Sequence, residues 1–232
     1  MKKIINILLG VSLLVSLVSC ELAGLELQRD AKFVPKATDN NVPMTAWEFI
    51  QSRPDIFSGM QEAIEYTGLQ DLYQKESGNT YILLTNTALI DWENTSHSYF
   101  RRYLVRGVHA NSWKDYPQAQ VEEMLRYHIV KGEYSFFNLN ANTVWTETYG
   151  NGDFTYSVDG VPAKGDTAVL AMTIGYDRNM AIQFNNYSWN YRGVLAVSSG
   201  SCRTTNLHLT NGYAHVTDYD LERPTRKFLG LE

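Results

Sequence analysis

Histidines, cysteines and one aromatic stripe are the residues of this 232-residue chain whose types and spacing could do chemistry. His208 and His215 flank Asn211-Gly212. Asn-Gly between runs of alternating character predicts a two-residue hairpin with a type I′ turn, because both central positions of that turn need positive φ. In that register Thr210 faces Tyr213, Leu209 faces Ala214 and His208 faces His215. Directly opposed residues have Cβ atoms about 5 Å apart, close enough for two imidazoles to share an ion. A zinc site needs at least three ligands, and Asp218 falls on the opposite face by the same alternation. No metal and no other cofactor is expected.

Tyr187, Trp189 and Tyr191 repeat at period two. On a strand they would project from one face, with Asn186, Ser188 and Asn190 on the other. Aromatic rings in a row beside amides suit stacking on sugar rings, which makes this stripe the best binding candidate on chemical grounds. Packing onto helices or over a sheet edge is the plainer role for the same residues. A second cluster lies in residues 91–120, where Arg101, Arg102, Arg106 and Lys114 are interleaved with Tyr99, Phe100, Tyr103, Trp113 and Tyr116. Such mixtures can bind anionic glycans or nucleic acid. The net charge of −5 argues for a helical insertion with a solvated face instead, and it excludes nucleic acid as a partner.

Catalytic motifs are absent: there is no Gly-x-Ser-x-Gly, no His-Glu-x-x-His and no phosphate-cradling glycine loop. Cys202 has no local His or Asp companion and reads as a small hydrophobe in a strand. The chain is expected to bind rather than to catalyse.

The elements that must position these residues begin with a targeting segment. Lys2 and Lys3 form a positive start, and Ile4 to Val18 an apolar run too short for a stable membrane span. Leu17-Val18-Ser19-Cys20 resembles the lipobox of bacterial lipoproteins. That resemblance implies a signal peptide over residues 1–19 and a lipidated Cys20 as the mature N-terminus. Loss of the two lysines takes the charge from −5 to −7, so acyl chains rather than protein charge would hold the membrane. Residues 20–44 read as a tether, with Pro35 and Pro43 and no sustained period.

Thr45-Ala46-Trp47-Glu48 has capping-box spacing and opens a short helix that stops before Pro54. A second helix over residues 55–67 carries the stripe Ile56, Phe57, Met60 and Ile64, and Gly68 ends it. Tyr81-Ile82-Leu83-Leu84 is a strand buried on both faces, and Thr85-Asn86 caps a short helix after it. A helix over residues 121–128 gives way to strand at Ile129-Val130. Beyond Asn142 the chain is strand and turn, with strands at 143–148, 154–158, 168–174, 180–185 and 194–198 before the closing hairpin.

Three segments together are similar to the fasciclin (FAS1) domain: the strand leading into Thr85-Asn86-Thr87-Ala88-Leu89, then Leu125-Arg126-Tyr127-His128-Ile129-Val130-Lys131-Gly132, then Thr210-Asn211-Gly212 with His215-Val216 and Asp218. The resemblance implies an α+β fold over residues 45–222, a fasciclin-like β-sandwich or wedge with a helical N-terminal part, followed by a C-terminal tail at 223–232. It also implies an adhesion or binding role, with a cell-surface protein or a glycan as ligand, and the lipobox resemblance places that role at the cell envelope of a Gram-negative bacterium, on the outer membrane, with the side it faces left open. In eukaryotic relatives the region matching Tyr127 and His128 is linked with adhesion, while in the fold that histidine is largely an internal hydrogen-bonding residue. Capture of glycan or peptide as an accessory to an outer-membrane uptake complex is the alternative role.

Overall fold

The computed structural model describes residues 40–91, 98–151, 167–175, 181–185 and 200–221. Helices come first, as the sequence predicts. Thr45 starts α1 (Ala46–Ser52) with a full capping box: Thr45 Oγ1 accepts from the Glu48 N–H at 3.3 Å, and the Thr45 N–H donates to the Glu48 carboxylate at 2.8 Å. Pro54 takes the first position of α2 (Pro54–Thr67), where its missing N–H is no loss. One face of α2 buries Phe57, Met60, Ala63, Ile64 and Thr67, and Gly68 closes the helix at φ 73°. A single turn, α3 (Gln70–Gln74), leads into β1 (Asn79–Leu84), all six residues of which are buried.

Two short helices, α4 (Asn86–Leu89) and α5 (Tyr99–Arg102), and a 3₁₀ turn at Trp113–Asp115 precede α6 (Gln118–Tyr127). The remaining elements are β2 (Ile129–Lys131), β3 (Val144–Asn151), β4 (Thr167–Ile174), β5 (Ile182–Phe184), β6 (Gly200–Ser201), β7 (Thr204–Leu209) and β8 (Gly212–Thr217). They form one ladder in the order β6-β5-β4-β3-β2-β1-β8-β7. β1 and β8 run parallel, from Asn79↔Gly212 to Leu84↔Thr217, and every other pair is antiparallel.

The side chains of β1 explain why both its faces are apolar. Tyr81 and Leu83 join the core formed with α1, α2 and α6, while Ile82 points the other way. There it meets Leu170 and Met172 of β4 and Ile182 and Phe184 of β5 within a second core. A strand can face residues several places along its own ladder only if the ladder curls over on itself, which strand twist favours. Mixed helix and sheet, with helices leading, is the α+β class expected from the sequence.

The start of the packed part differs from expectation. Residues 40–44, expected in the tether, already pair with β7: the Val42 N–H donates to the His208 carbonyl at 2.8 Å, and the His208 N–H to the Asn40 carbonyl at 2.9 Å. That pairing covers part of an outer strand edge. The expected signal peptide, the rest of the tether, the strands at 154–158 and 194–198 and the C-terminal tail lie outside the described residues.

The closing hairpin forms, but one residue earlier than the Asn-Gly rule places it. Leu209 pairs with Gly212, His208 with Tyr213 and Leu207 with Ala214, so the loop is Thr210-Asn211. Among described non-glycine residues, positive φ occurs at Arg106, Asn185 and Asn206, so Asn211 does not adopt the type I′ conformation. Two tertiary demands override the local preference. The Asn211 Nδ2 donates to the carbonyls of Tyr73 and Glu76 and to the Tyr81 hydroxyl at 3.0–3.1 Å, while Oδ1 accepts from the Ala46 N–H at 3.0 Å. Gly212, at φ 146°, lies so close to β1 that a Cβ there would come within 2.0 Å of the Asn79 carbonyl oxygen.

Candidate functional site

Tyr127 and His128 sit where α6 ends, and both are completely buried. The Tyr127 hydroxyl donates to the Val169 carbonyl at 3.3 Å and accepts from the Asn185 amide at 3.1 Å. On His128, Nδ1 donates to the Met124 carbonyl at 2.8 Å and Nε2 accepts from the Leu221 N–H at 3.1 Å, which fixes a neutral tautomer. The pair ties α6 to β4, to the end of β5 and to the segment after β8. Neither side chain is accessible to a ligand. The structure therefore places these two candidates in the core, where burial demands satisfied polar atoms.

His208 and His215 also separate. His208 is exposed, stacks on Tyr213 at 4.9 Å between ring centroids and hydrogen-bonds Asn41 at 2.9 Å. His215 is fully buried. Its Nδ1 accepts from the Asn206 N–H at 3.0 Å and its Nε2 donates to the Tyr134 carbonyl at 3.0 Å. Desolvation lowers its pKa to about 4, against a smaller opposing effect of the Tyr134 hydrogen bond. The cross-strand pair that the Asn-Gly register would oppose is thus replaced by one surface ring and one structural ring. Among the described residues no three His, Cys, Asp or Glu side chains come together to hold an ion.

Cys202 is half-buried beside the β4–β5 core, and desolvation pushes its thiol well above the usual range. A protonated thiol is a poor nucleophile. Cys20 and the stripe Tyr187, Trp189 and Tyr191 lie outside the described residues.

The basic and aromatic segment splits into a buried base and an exposed tip. Tyr99, Phe100, Trp113 and Tyr116 are buried against one another, with ring centroids 4.8–6.1 Å apart, so these rings are not a stacking platform for a ligand. The Trp113 indole donates to the Gly59 carbonyl at 2.8 Å, docking the segment on α2. Arg102 is drawn inward to Asp220 at 2.9 Å.

Beyond this base, Val105 and Val108 exchange backbone hydrogen bonds at 2.8 and 3.1 Å. Arg106 at φ 51° and Gly107 at φ 84° lie between them, as a type I′ turn requires. Leu104 is 51% and Val108 64% exposed. The structure thus has a hairpin turn within the stretch where a helical insertion is expected from sequence. Its signal was Val-Arg-Gly-Val, two β-branched residues around a glycine-containing pair.

A third exposed apolar residue carries no signal in the sequence. Phe137 is 86% exposed, on a loop fixed by its own side chains. The Ser135 N–H donates to Asn138 Oδ1 at 2.7 Å, the Phe137 N–H to Ser135 Oγ at 3.2 Å, and the Phe136 N–H to Asn206 Oδ1 at 3.0 Å. Tyr-Ser-Phe-Phe-Asn-Leu reads as a buried run, which hides the one ring that points outward.

These features define a protein of the α+β class whose described histidines serve the fold and whose exposed apolar residues sit on hydrogen-bonded turns. No protein-family model matches the chain, and no curated protein matches it. Among solved structures, it is similar to a FAS1 domain pair from the insect cell adhesion molecule fasciclin I, at 16% identity and a TM-score of 0.46. That likeness covers 81% of this chain and 53% of the other, so the chain spans about half the length of that structure. Among the described residues no helix is long and apolar enough to cross a membrane.

Proposed function

We propose that this chain is a lipid-anchored, extracytoplasmic binding or adhesion module with a fasciclin-like wedge architecture, working without catalysis at the envelope of a Gram-negative bacterium. The observation that carries the binding role is Phe137, an aromatic ring 86% exposed on a loop whose backbone is already committed to internal hydrogen bonds. Exposed aromatic side chains on a preorganised backbone lose little conformational entropy when they are covered, and aromatic residues are enriched among interface hot spots. The wedge architecture is supported by the curled ladder and by the three sequence segments similar to the FAS1 domain. The anchor is supported by Leu17-Val18-Ser19-Cys20.

Purified chain from Glu21 onward, immobilised and exposed to whole cells or envelope fragments, is expected to retain them. Phe137→Ser is expected to weaken that retention about tenfold, the scale of one interface hot spot. Retention unchanged by Phe137→Ser, or turnover of a substrate, counts against the reading. Labelling with radioactive palmitate in cells is expected to mark the wild-type chain and not Cys20→Ser.

A further inference from the structure

We infer that the hairpin tip at Leu104–Val108 is a membrane-contact element that docks on an anionic phospholipid surface. This rests on the reading of the chain as anchored beside a membrane. Three observations carry it.

The tip pairs exposed aliphatic side chains with positive charge. Leu104 and Val108 are exposed on either side of Arg106, itself exposed at the turn. Residues 98–116 hold four cations and one anion, in a chain that has 20 cations and 25 anions in all. Arg102 is spent on Asp220, and Arg101, Arg106 and Lys114 remain in the stretch that carries the most exposed aliphatic turn among the described residues. Arginine beside short apolar side chains suits the headgroup boundary, where the charge meets phosphate and the hydrocarbon enters the acyl layer.

The choice of residue at the turn is also costly. A type I′ turn favours Asn, Asp or Gly at its first central position, yet here Arg106 holds φ 51°. A strained backbone position kept by a long cation points to a use for the cation at that spot.

The base, finally, is rigid. The Tyr116 hydroxyl donates to the Tyr103 carbonyl at 2.7 Å, Tyr103 packs on Tyr99 at 4.5 Å, and His109 Nδ1 donates to the Phe100 carbonyl at 3.2 Å. Both stems of the hairpin are therefore fixed to the buried aromatic cluster, and the tip extends from a firm mount. Its apolar part is two side chains on one turn. That is far short of the roughly 800 Å² per partner of a stable protein interface, but it suffices as a second contact for a chain already held by lipid. The role that follows is orientation of the domain against the bilayer.

The test uses unlipidated chain from Glu21 onward and vesicles of phosphatidylcholine with or without phosphatidylglycerol. Sedimentation is expected only with the anionic vesicles, and it is expected to fall as salt is raised. Arg106→Gly relieves the strained turn while removing the charge, and is expected to weaken binding about fivefold with the melting temperature unchanged or raised. Leu104→Ser/Val108→Ser is expected to weaken it about tenfold or more. A Trp placed by Val108→Trp is expected to shift its emission to the blue on the anionic vesicles.

Equal binding to neutral vesicles, wild-type binding by the double variant, or tip-dependent binding to polyglutamate with none to vesicles would each overturn the inference. Palmitate labelling separates this from the anchor. Labelling without vesicle binding removes the tip alone, and vesicle binding without labelling removes the anchor alone.

Discussion

The rings of Phe184 and His215 lie 6.2 Å apart, centroid to centroid, although β4, β3, β2 and β1 stand between β5 and β8 in the hydrogen-bonded order. This contact closes the curled ladder from inside. Replacing Phe184 by Ala opens a cavity at the seam and is expected to cost about 3–5 kcal/mol, read from chemical denaturation.

His215 makes stability depend on pH with a definite sign. Its folded pKa is about 4, below the ordinary value of 6.5. Between those values the unfolded chain binds the proton and the folded chain does not, so acidification from pH 6.5 towards 4 favours unfolding. The full effect is about 3 kcal/mol, present in stability above pH 6.5 and lost as pH reaches 4. His215→Gln is less stable than wild type at neutral pH, and the gap between the two is expected to narrow across that window. A gap constant from pH 7 to 4 would show that His215 is not the titrating group.

Gly212 and Gly78 separate contact from conformation. Both have positive φ, 146° and 75°, but a Cβ at Gly78 meets nothing within 4 Å while one at Gly212 runs into the Asn79 carbonyl. Gly78→Ala is expected to cost about 1 kcal/mol. Gly212→Ala is expected to cost more than about 3 kcal/mol, because backbone must move to admit it. Similar melting temperatures for the two variants would place Gly212 further from β1 than the structure does.

Arg102 and Asp220 join the insertion to the segment after β8, with the Asp220 side chain 2% exposed. Asp220→Ala leaves a partly buried guanidinium facing the vacated site and is expected to cost about 3 kcal/mol or more, whereas Arg53→Ala at the exposed Arg53–Asp55 pair is expected to leave the melting temperature nearly unchanged. Thermal melts of the two variants check the contrast.

Local chemistry made the helical half legible. The capping box at Thr45, the break at Pro54 and the stop at Gly68 each depend on neighbours within a few positions, and each stands in the structure. β1 was legible because a strand covered on both faces is apolar throughout. The hairpin register was not. Its residues answer to β1, Tyr73, Glu76 and Ala46, partners that no local rule contains. The candidate surface was hidden for the same reason. Phe137 and Tyr127 are both aromatic residues with polar and apolar residues on either side, and only the packed fold sends one outward and buries the other.

The parallel pairing of β1 with β8 also sets the order of assembly. Thr85 and Asp218, hydrogen-bonded at 2.8 Å just beyond those strands, are 133 positions apart. β1 therefore waits for β8, and a chain emerging from the ribosome holds an unfilled place in its sheet until β8 has appeared. Such long-range closure makes folding late and slow. On the exported route proposed above, that delay is an asset: the chain stays threadable until the strand that completes its sheet has been made.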